Sequence, residues 1–249
     1  MQLTLKANWK GTTFFTISNM QEMTSTICDA ATTPNTSATS LDQTGAYSGN
    51  KNYVPSTTLI DTRDNNTYTV RKLADGKCWM TQNLRLINKT IDSSNSDISS
   101  GNFTIPSTSL SNFSGYNKNN GYLNSYGGYY SFYTATIGWG TTSITSGNSS
   151  NSICAKNWRL PTGGSTGEFK TLYSYYPSAA SLRSAPVDMD FNGNIYNGSF
   201  REYEDGTFYW SSTVARDICA YFISIWDQTV KAEWNNQKDL GLSVRCVAR

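Results

Sequence analysis

Histidine does not occur anywhere in the 249 residues. Its absence removes the usual general base near neutral pH, the commonest metal ligand and every Ser-His or Cys-His nucleophilic arrangement, which argues against a hydrolase. Charge is scarce too: Asp, Glu, Lys and Arg make up 15% of the chain and nearly cancel, to a net +2. With no basic run and no basic amphipathic helix, nothing points to nucleic acid or to an anionic membrane surface. No stretch approaches the roughly 18 apolar residues of a membrane span, so no membrane insertion is expected. Residues 1–17 are too polar to read as a signal peptide. The five cysteines, Cys28, Cys78, Cys154, Cys219 and Cys246, include no CxxC pair, which speaks against zinc. Neither a metal nor a cofactor is expected.

What is plentiful is Ser, Thr, Asn, Gly and Tyr, with aromatic residues at 13%. That balance favours β-rich or loop-rich structure and an extracellular, cell-surface or virion-surface setting over a cytosolic helical enzyme. The length suits one domain with a sizeable core.

The chain is organised around residues 208–249, FYWSSTVARDICAYFISIWDQTVKAEWNNQKDLGLSVRCVAR. The segment opens on Tyr209 and Trp210 before Ser211, Ser212 and Thr213, and closes on an apolar alternation of Leu242, Val244 and Cys246 behind Gly241. Both ends read as scaffold. Between them polarity changes from residue to residue without a helical period, and Trp226 and Trp234 sit among polar neighbours. The middle therefore reads as a contact surface held between two strands.

YWSST followed by GLSVRCVAR resembles the C-terminal signature of the Fibrobacter succinogenes major paralogous domain family. Three further stretches agree with it: DTRDNNTYTVRKLADGKCWMTQNL at 61–84, YGGYYSFYTATIGWG at 126–140 and SICAKNWRLPT at 152–162. The resemblance implies an α+β, C-type lectin-like (formylglycine-generating-enzyme-like) fold, with two short helices, small antiparallel sheets and long loops. It also implies N- and C-terminal strands that lie close together. The same fold is used by variable proteins of diversity-generating retroelements, in which adenines at the 3′ end of a gene are rewritten. Four of the cysteines fall in or beside the family-like scaffold segments, so Cys154 is expected to pair with Cys246 and Cys28 with Cys78, leaving Cys219 unpaired. Sequence alone leaves that connectivity open.

In chain order, LTLKANWK resembles the last strand of the Listeria–Bacteroides surface repeats, so residues 1–17 read as a strand or the remnant of a preceding repeat. Residues 18–249 then form the domain. A capping box at Ser18 and Gln21, with Met20, Met23 and Ile27 on one face, predicts a helix near 19–28, and residues 29–57 read as a surface excursion. The runs LIDTRD and TYTVRKL across Asn65 and Asn66 predict a hairpin. An Asp75-Gly76 turn then leads to a core group of Cys78, Trp79 and Met80. Residues 88–125 read as a low-complexity insertion or mobile loop, and their N-x-[ST] matches follow from composition. Tyr129, Tyr130, Phe132 and Tyr133 read as an aromatic strand. Ser165 with Glu168 predicts a second capping box, and Phe169, Leu172 and Tyr173 a helix over 165–176. Residues 186–207 read as a loop.

Two metal-like patterns occur, and both are incomplete. Asp188, Asp190, Asn192 and Asn194 have the spacing of a calcium loop but lack its closing Glu, and read as a polar turn. Glu233, Trp234, Asn235 and Asn236 resemble a lectin's sugar-bridging calcium group, but the third position is Asn and no Glu-Pro-Asn partner is present.

The candidate ligand-binding residues lie in three runs. The first is Ala215, Arg216, Asp217, Ile218 and Cys219. The second is Phe222, Ser224, Trp226 and Asp227. The third is Glu233, Trp234, Asn235, Asn236, Gln237 and Asp239. If YFISIW is a strand, Tyr221, Ile223 and Ile225 face a core while Ala220, Phe222, Ser224 and Trp226 face solvent. Codon arithmetic bears on the first run, because an AAY codon mutated at its adenines becomes NNY. That set encodes every residue type at 214–219 but never Trp, Lys, Glu, Gln or Met, so Trp226, Glu233, Trp234, Gln237 and Lys238 need other template codons or are fixed.

The expected function is non-enzymatic binding of an unknown protein or glycan, protein favoured, through a retroelement-diversified C-terminal surface. The alternatives are a formylglycine-generating-like or carbohydrate-active enzyme, and a structural cell-surface module.

Overall fold

The computed structural model describes residues 4–7, 13–16 and 56–249. The architecture is α+β: mostly antiparallel strands with three short α-helices among the described residues. The expected helix at 19–28, most of the excursion at 29–57 and Cys28 lie outside those residues.

Two antiparallel sheets carry the fold. The first is five-stranded, in the order Trp158–Arg159, Val247–Ala248, Cys78–Met80, Asn66–Lys72, Ser56–Asp61. Its outer hairpin is the one the sequence predicts, with Asn65 in the left-handed conformation at the turn (φ 64°). The second is four-stranded, in the order Gly147–Asn148, Gly206–Arg216, Cys219–Trp226, Val230–Gln237. The long strands of this sheet are called βA (206–216), βB (219–226) and βC (230–237) below. The C-terminal strand shares its sheet with Ser56–Asp61, whereas Thr4–Ala7 pairs with Thr13–Thr16 in a ladder of its own. Within the five-stranded sheet, two strands separate Val247–Ala248 from Ser56–Asp61.

Alternation along βA and βB sends side chains into two cores. Phe208, Trp210 and Phe222 join Tyr68, Met80, Tyr130, Phe132, Trp158 and Leu242 in the larger one. Tyr209, Ile223 and Ile225 join Trp79, Phe169, Leu172 and Val247 in the other. The Trp210 indole donates to Tyr130 O at 2.8 Å, so a large side chain is buried with its polar atom satisfied. Cys154 and Cys246 form a disulfide with Cα atoms 5.9 Å apart, inside the bridging range of about 4.4–6.8 Å. Cys78 is also disulfide-bonded, and the partner expected for it, Cys28, lies outside the described residues.

The helix expected over 165–176 runs Glu168–Tyr175, but the Ser165 capping box does not form. Gly167 is the N-cap, and a Cβ there would meet Gly163 backbone at 2.5 Å. Capping comes instead from Thr162: its hydroxyl accepts from Glu168 N at 3.0 Å, and its own N–H donates to Glu168 Oε2 at 2.9 Å. The Glu168 carboxylate also takes the Arg159 guanidinium through two contacts of 2.6 Å, and Lys77 at 3.2 Å. Burial raises the Glu168 carboxyl, but these donors outweigh it and hold the group at about 2.

Phe132 and Tyr133 do not extend a strand: Gly127–Tyr130 ends, and Ser131 caps a short helix over Phe132–Ala135. Another short helix, Ala179–Arg183, was not anticipated. Residues 88–125 hold paired strands, including Lys89–Asp92 with Asn102–Ile105, and place Ile91, Ile105 and Phe113 in the core. Residues 186–207 contain a hairpin, Asn194–Tyr196 with Ser199–Arg201, turning at Asn197-Gly198.

Candidate ligand-binding surface

βB is the middle of the site. On one side it pairs with βA, Phe222 opposite Trp210; on the other with βC, Phe222 opposite Trp234 and Ala220 opposite Asn236. The alternation expected for YFISIW holds, but the expected exposure does not. Ala220, Phe222 and Ser224 are buried, and only Trp226 in that set is half-buried. Phe222 lies against Phe208 and Trp210, with ring centroids 6.2 and 5.8 Å away. Both faces of βB are covered, which is why its sequence is nearly continuously apolar.

Between Phe222 and Ser224 the pairing with βC slips, because Ser224 lies opposite Lys231 while Phe222 lies opposite Trp234. βC therefore carries one extra residue, a β-bulge. Its consequence is that Lys231, Trp234 and Asn236 all point to the same side. The Lys231 Nζ then sits 3.4 Å from the Trp234 ring centroid, a cation–π contact. Trp234 stays 42% exposed. Trp226 meets Phe208 edge-on at 5.4 Å and donates from its indole to Ser224 Oγ at 3.2 Å.

Opposite this sheet face stands the 194–201 hairpin. Between the two lies a cleft of about 470 Å³, lined on the sheet side by Phe222, Ser224, Trp226, Lys231, Trp234, Asn236 and Gln237, and on the hairpin side by Asn194, Tyr196, Arg201 and Glu202. Its walls are mixed. Arg201 lies over the Tyr196 ring at 5.2 Å, and Asn194 donates to Glu202.

The remaining predicted residues do not join this cleft. Glu233 points to the helix side of βC, pairing with Lys170 at 3.0 Å, and Asn235, two residues on, shares that side. Asp227 lies in the βB–βC turn, 3.6 Å from Arg183. Ala215, Arg216, Asp217 and Ile218 form the βA–βB corner, where Arg216 and Asp217 are exposed. Cys219 is a free thiol, as expected, but it is buried and offers no contact surface. Asp239 is half-buried, and burial pushes its carboxyl up.

Lys238 was not anticipated. It is 2% exposed, and its ammonium donates to Thr141 O, Ile144 O and Asp217 O at 2.8, 2.9 and 2.6 Å. Burial lowers its pKa to about 8. This side chain ties the exposed 215–218 corner to the 141–144 loop. The bulge that turns Lys231 inward, and the hairpin that forms the far wall, were missed as well. Of these only the hairpin carried a signal, the Asn197-Gly198 dipeptide.

Among the described residues no cluster of three or more His, Cys, Asp or Glu could hold a metal ion. The calcium-like spacing is dispersed: Asp188 reaches Arg71 at 3.2 Å, Asn192 Oδ1 accepts from Thr207 at 2.6 Å, and Asn194 serves Glu202. No helix among those residues is long and apolar enough to cross a membrane.

Comparison with models of protein families, with curated proteins and with solved structures finds no match.

Proposed function

We propose that this chain is a non-enzymatic binding protein of the cell surface or extracellular space, built on a C-type lectin-like scaffold. It takes a protein ligand at the βB–βC face. One observation carries this reading: a doubly covered strand backs a cleft in which Trp226, Trp234 and Lys231 are accessible among amide side chains. Aromatic anchors with adaptable polar neighbours are the composition of protein-binding paratopes. The absence of histidine, with Cys219 alone and buried and Cys154 and Cys246 bonded to each other, supports a reading without catalysis.

Diversification by a retroelement is part of the proposal. It is supported by the codon set at 214–219 and by the exposure of Arg216, Asp217, Asn235 and Asn236 outside the buried frame. Sequencing the locus tests it: a reverse transcriptase gene and a near-copy of the segment encoding residues 208–249, differing at adenines, are expected. A locus with neither removes the diversification and leaves the binding surface to be tested by itself.

A further inference from the structure

A second cleft, of about 440 Å³, shares no lining residue with the first. It lies between the Asn66–Lys72 strand, residues 81–85, residues 125–127 and residues 188–192. Its volume is that of a small-molecule site.

Three arginines line it, Arg71, Arg85 and Arg245, against two carboxylates, Asp188 and Asp190. Arg245 is engaged through all three of its nitrogens: it donates to Asn83 Oδ1 at 3.1 Å, to Val187 O at 2.6 Å and to Asp188 O, and lies over the Tyr209 ring. Arg71 is partly used, with one terminal nitrogen 3.2 Å from both Pro186 O and Asp188 Oδ2. Arg85 donates once, to Thr67 O at 3.0 Å.

What remains is a surplus of donors. Arg71 Nε, Arg85 Nε, Asn192 Nδ2 and the Tyr209 hydroxyl are buried without a partner. They are four of the eight such side-chain atoms among the described residues, and all four belong to residues lining this one cleft. Asn192 and Tyr209 are almost wholly buried, at 1% and 0% exposure. Those four atoms are closed to solvent and lie behind the cleft wall; the donors that can reach an acceptor in the cleft are the terminal nitrogens no bond uses, Arg71 Nη2 and Arg85 Nη1. Both can only donate, and the guanidinium group suits the two oxygens of a carboxylate. Tyr126 supplies a second kind of contact: it lines the cleft, is 44% exposed, and is held flat by stacking on Phe200 at 6.3 Å and 22°.

We propose that this cleft binds a small ring-bearing carboxylate, its oxygens taken by the Arg71 and Arg85 guanidinium groups and its ring lying against Tyr126.

The test is a ligand-observed NMR titration of the full chain with D-glucuronate and with benzoate, each against its neutral counterpart, D-glucose or benzyl alcohol. At least one acid should bind about tenfold or more tightly than its counterpart. Glucuronate alone identifies a sugar acid, benzoate alone an aromatic acid, and both together a site that reads the carboxylate on either ring. Arg85→Gln should weaken that binding by about tenfold or more. Asp190→Asn, which removes an exposed negative charge from the cleft wall, should strengthen it severalfold. Trp234→Ala should leave it unchanged, which separates this site from the proposed protein-binding face. Acids that bind no better than their counterparts overturn the proposal, as does an Arg85→Gln protein with an intact melting transition and full affinity. If Arg85→Gln does not fold, Asp190→Asn decides alone, and unchanged affinity there also overturns it.

Discussion

βB and βC are adjacent strands of eight residues each, paired to one another, yet their surroundings are opposite. Five of the six residues from Cys219 to Ser224 are buried, with Tyr221 half-buried, whereas Glu233, Trp234, Asn235 and Asn236 are all exposed in a row. βB is covered by one core on each face; βC is the edge of its sheet, and only Ala232 is buried. The difference separates frame from display. Variation on βB would disturb two cores at once, while variation on βC alters what the sheet presents and little of what holds it.

The largest effect should come from treating a βB residue as if it were surface. Phe222→Ala removes a ring packed between Phe208, Trp210 and the cleft floor, and should cost about 3–5 kcal/mol in urea unfolding. A loss below about 1 kcal/mol would mean that βB is no more a frame than βC.

Next comes the helix that covers the other face of βB. Glu168 holds its first turn and has a folded value of about 2 against an ordinary 4.5. A depressed carboxyl contributes stability that is fully present above its unfolded value and lost as pH falls through its folded one. Unfolding free energy should therefore drop by roughly 3 kcal/mol between pH 4.5 and 2 on account of this group. Glu168→Gln should be less stable at neutral pH and lose that part of the acid dependence. A wild-type-like acid profile in the variant would show that the Arg159 pair does not anchor the helix.

How much of this was legible depends on the kind of information involved. Alternation is local, so the hairpin at 56–72 and the two sides of YFISIW could be read directly. What lies over each side is not local: Tyr130, Phe132 and Leu242, which share a core with Phe222, come from elsewhere in the chain. The same limit hid the low-complexity stretch, whose sparse Ile91, Ile105 and Phe113 suffice to fix it once the rest of the core is in place. The bulge in βC has no residue signature of its own, so the meeting of Lys231 and Trp234, three apart on a strand, was invisible. Lys238 was illegible for a related reason, since its three acceptors lie on two distant loops.

Lys238 allows the boundary between frame and display to be moved. Lys238→Met leaves Thr141 O, Ile144 O and Asp217 O without their shared donor and should cost about 2 kcal/mol. Amide exchange should quicken at 141–144 and in the 215–218 corner but not within βB. Equal quickening in βB would make the corner part of the frame.

The smallest effect on stability should come from βC itself. Trp234→Ala removes an exposed ring and its cation–π contact with Lys231, worth about 0.5–1 kcal/mol at such a site. Asn236→Ala, on the same side, should change even less, because nothing in the frame rests on it. The double variant should therefore melt within a few degrees of the parent. Its effect on binding should run the other way. If the βB–βC face takes a protein ligand, Trp234 is the ring best placed as its anchor, and truncating it should weaken that complex by about 2 kcal/mol or more. With a partner selected from a displayed protein library against the parent chain, surface plasmon resonance reads both variants. A partner that loses affinity to Trp234→Ala, while the melting transition stays put, keeps display and frame apart. Partners that all bind the variant unchanged would place the interaction elsewhere on the molecule, and βC would then be only the edge of a sheet.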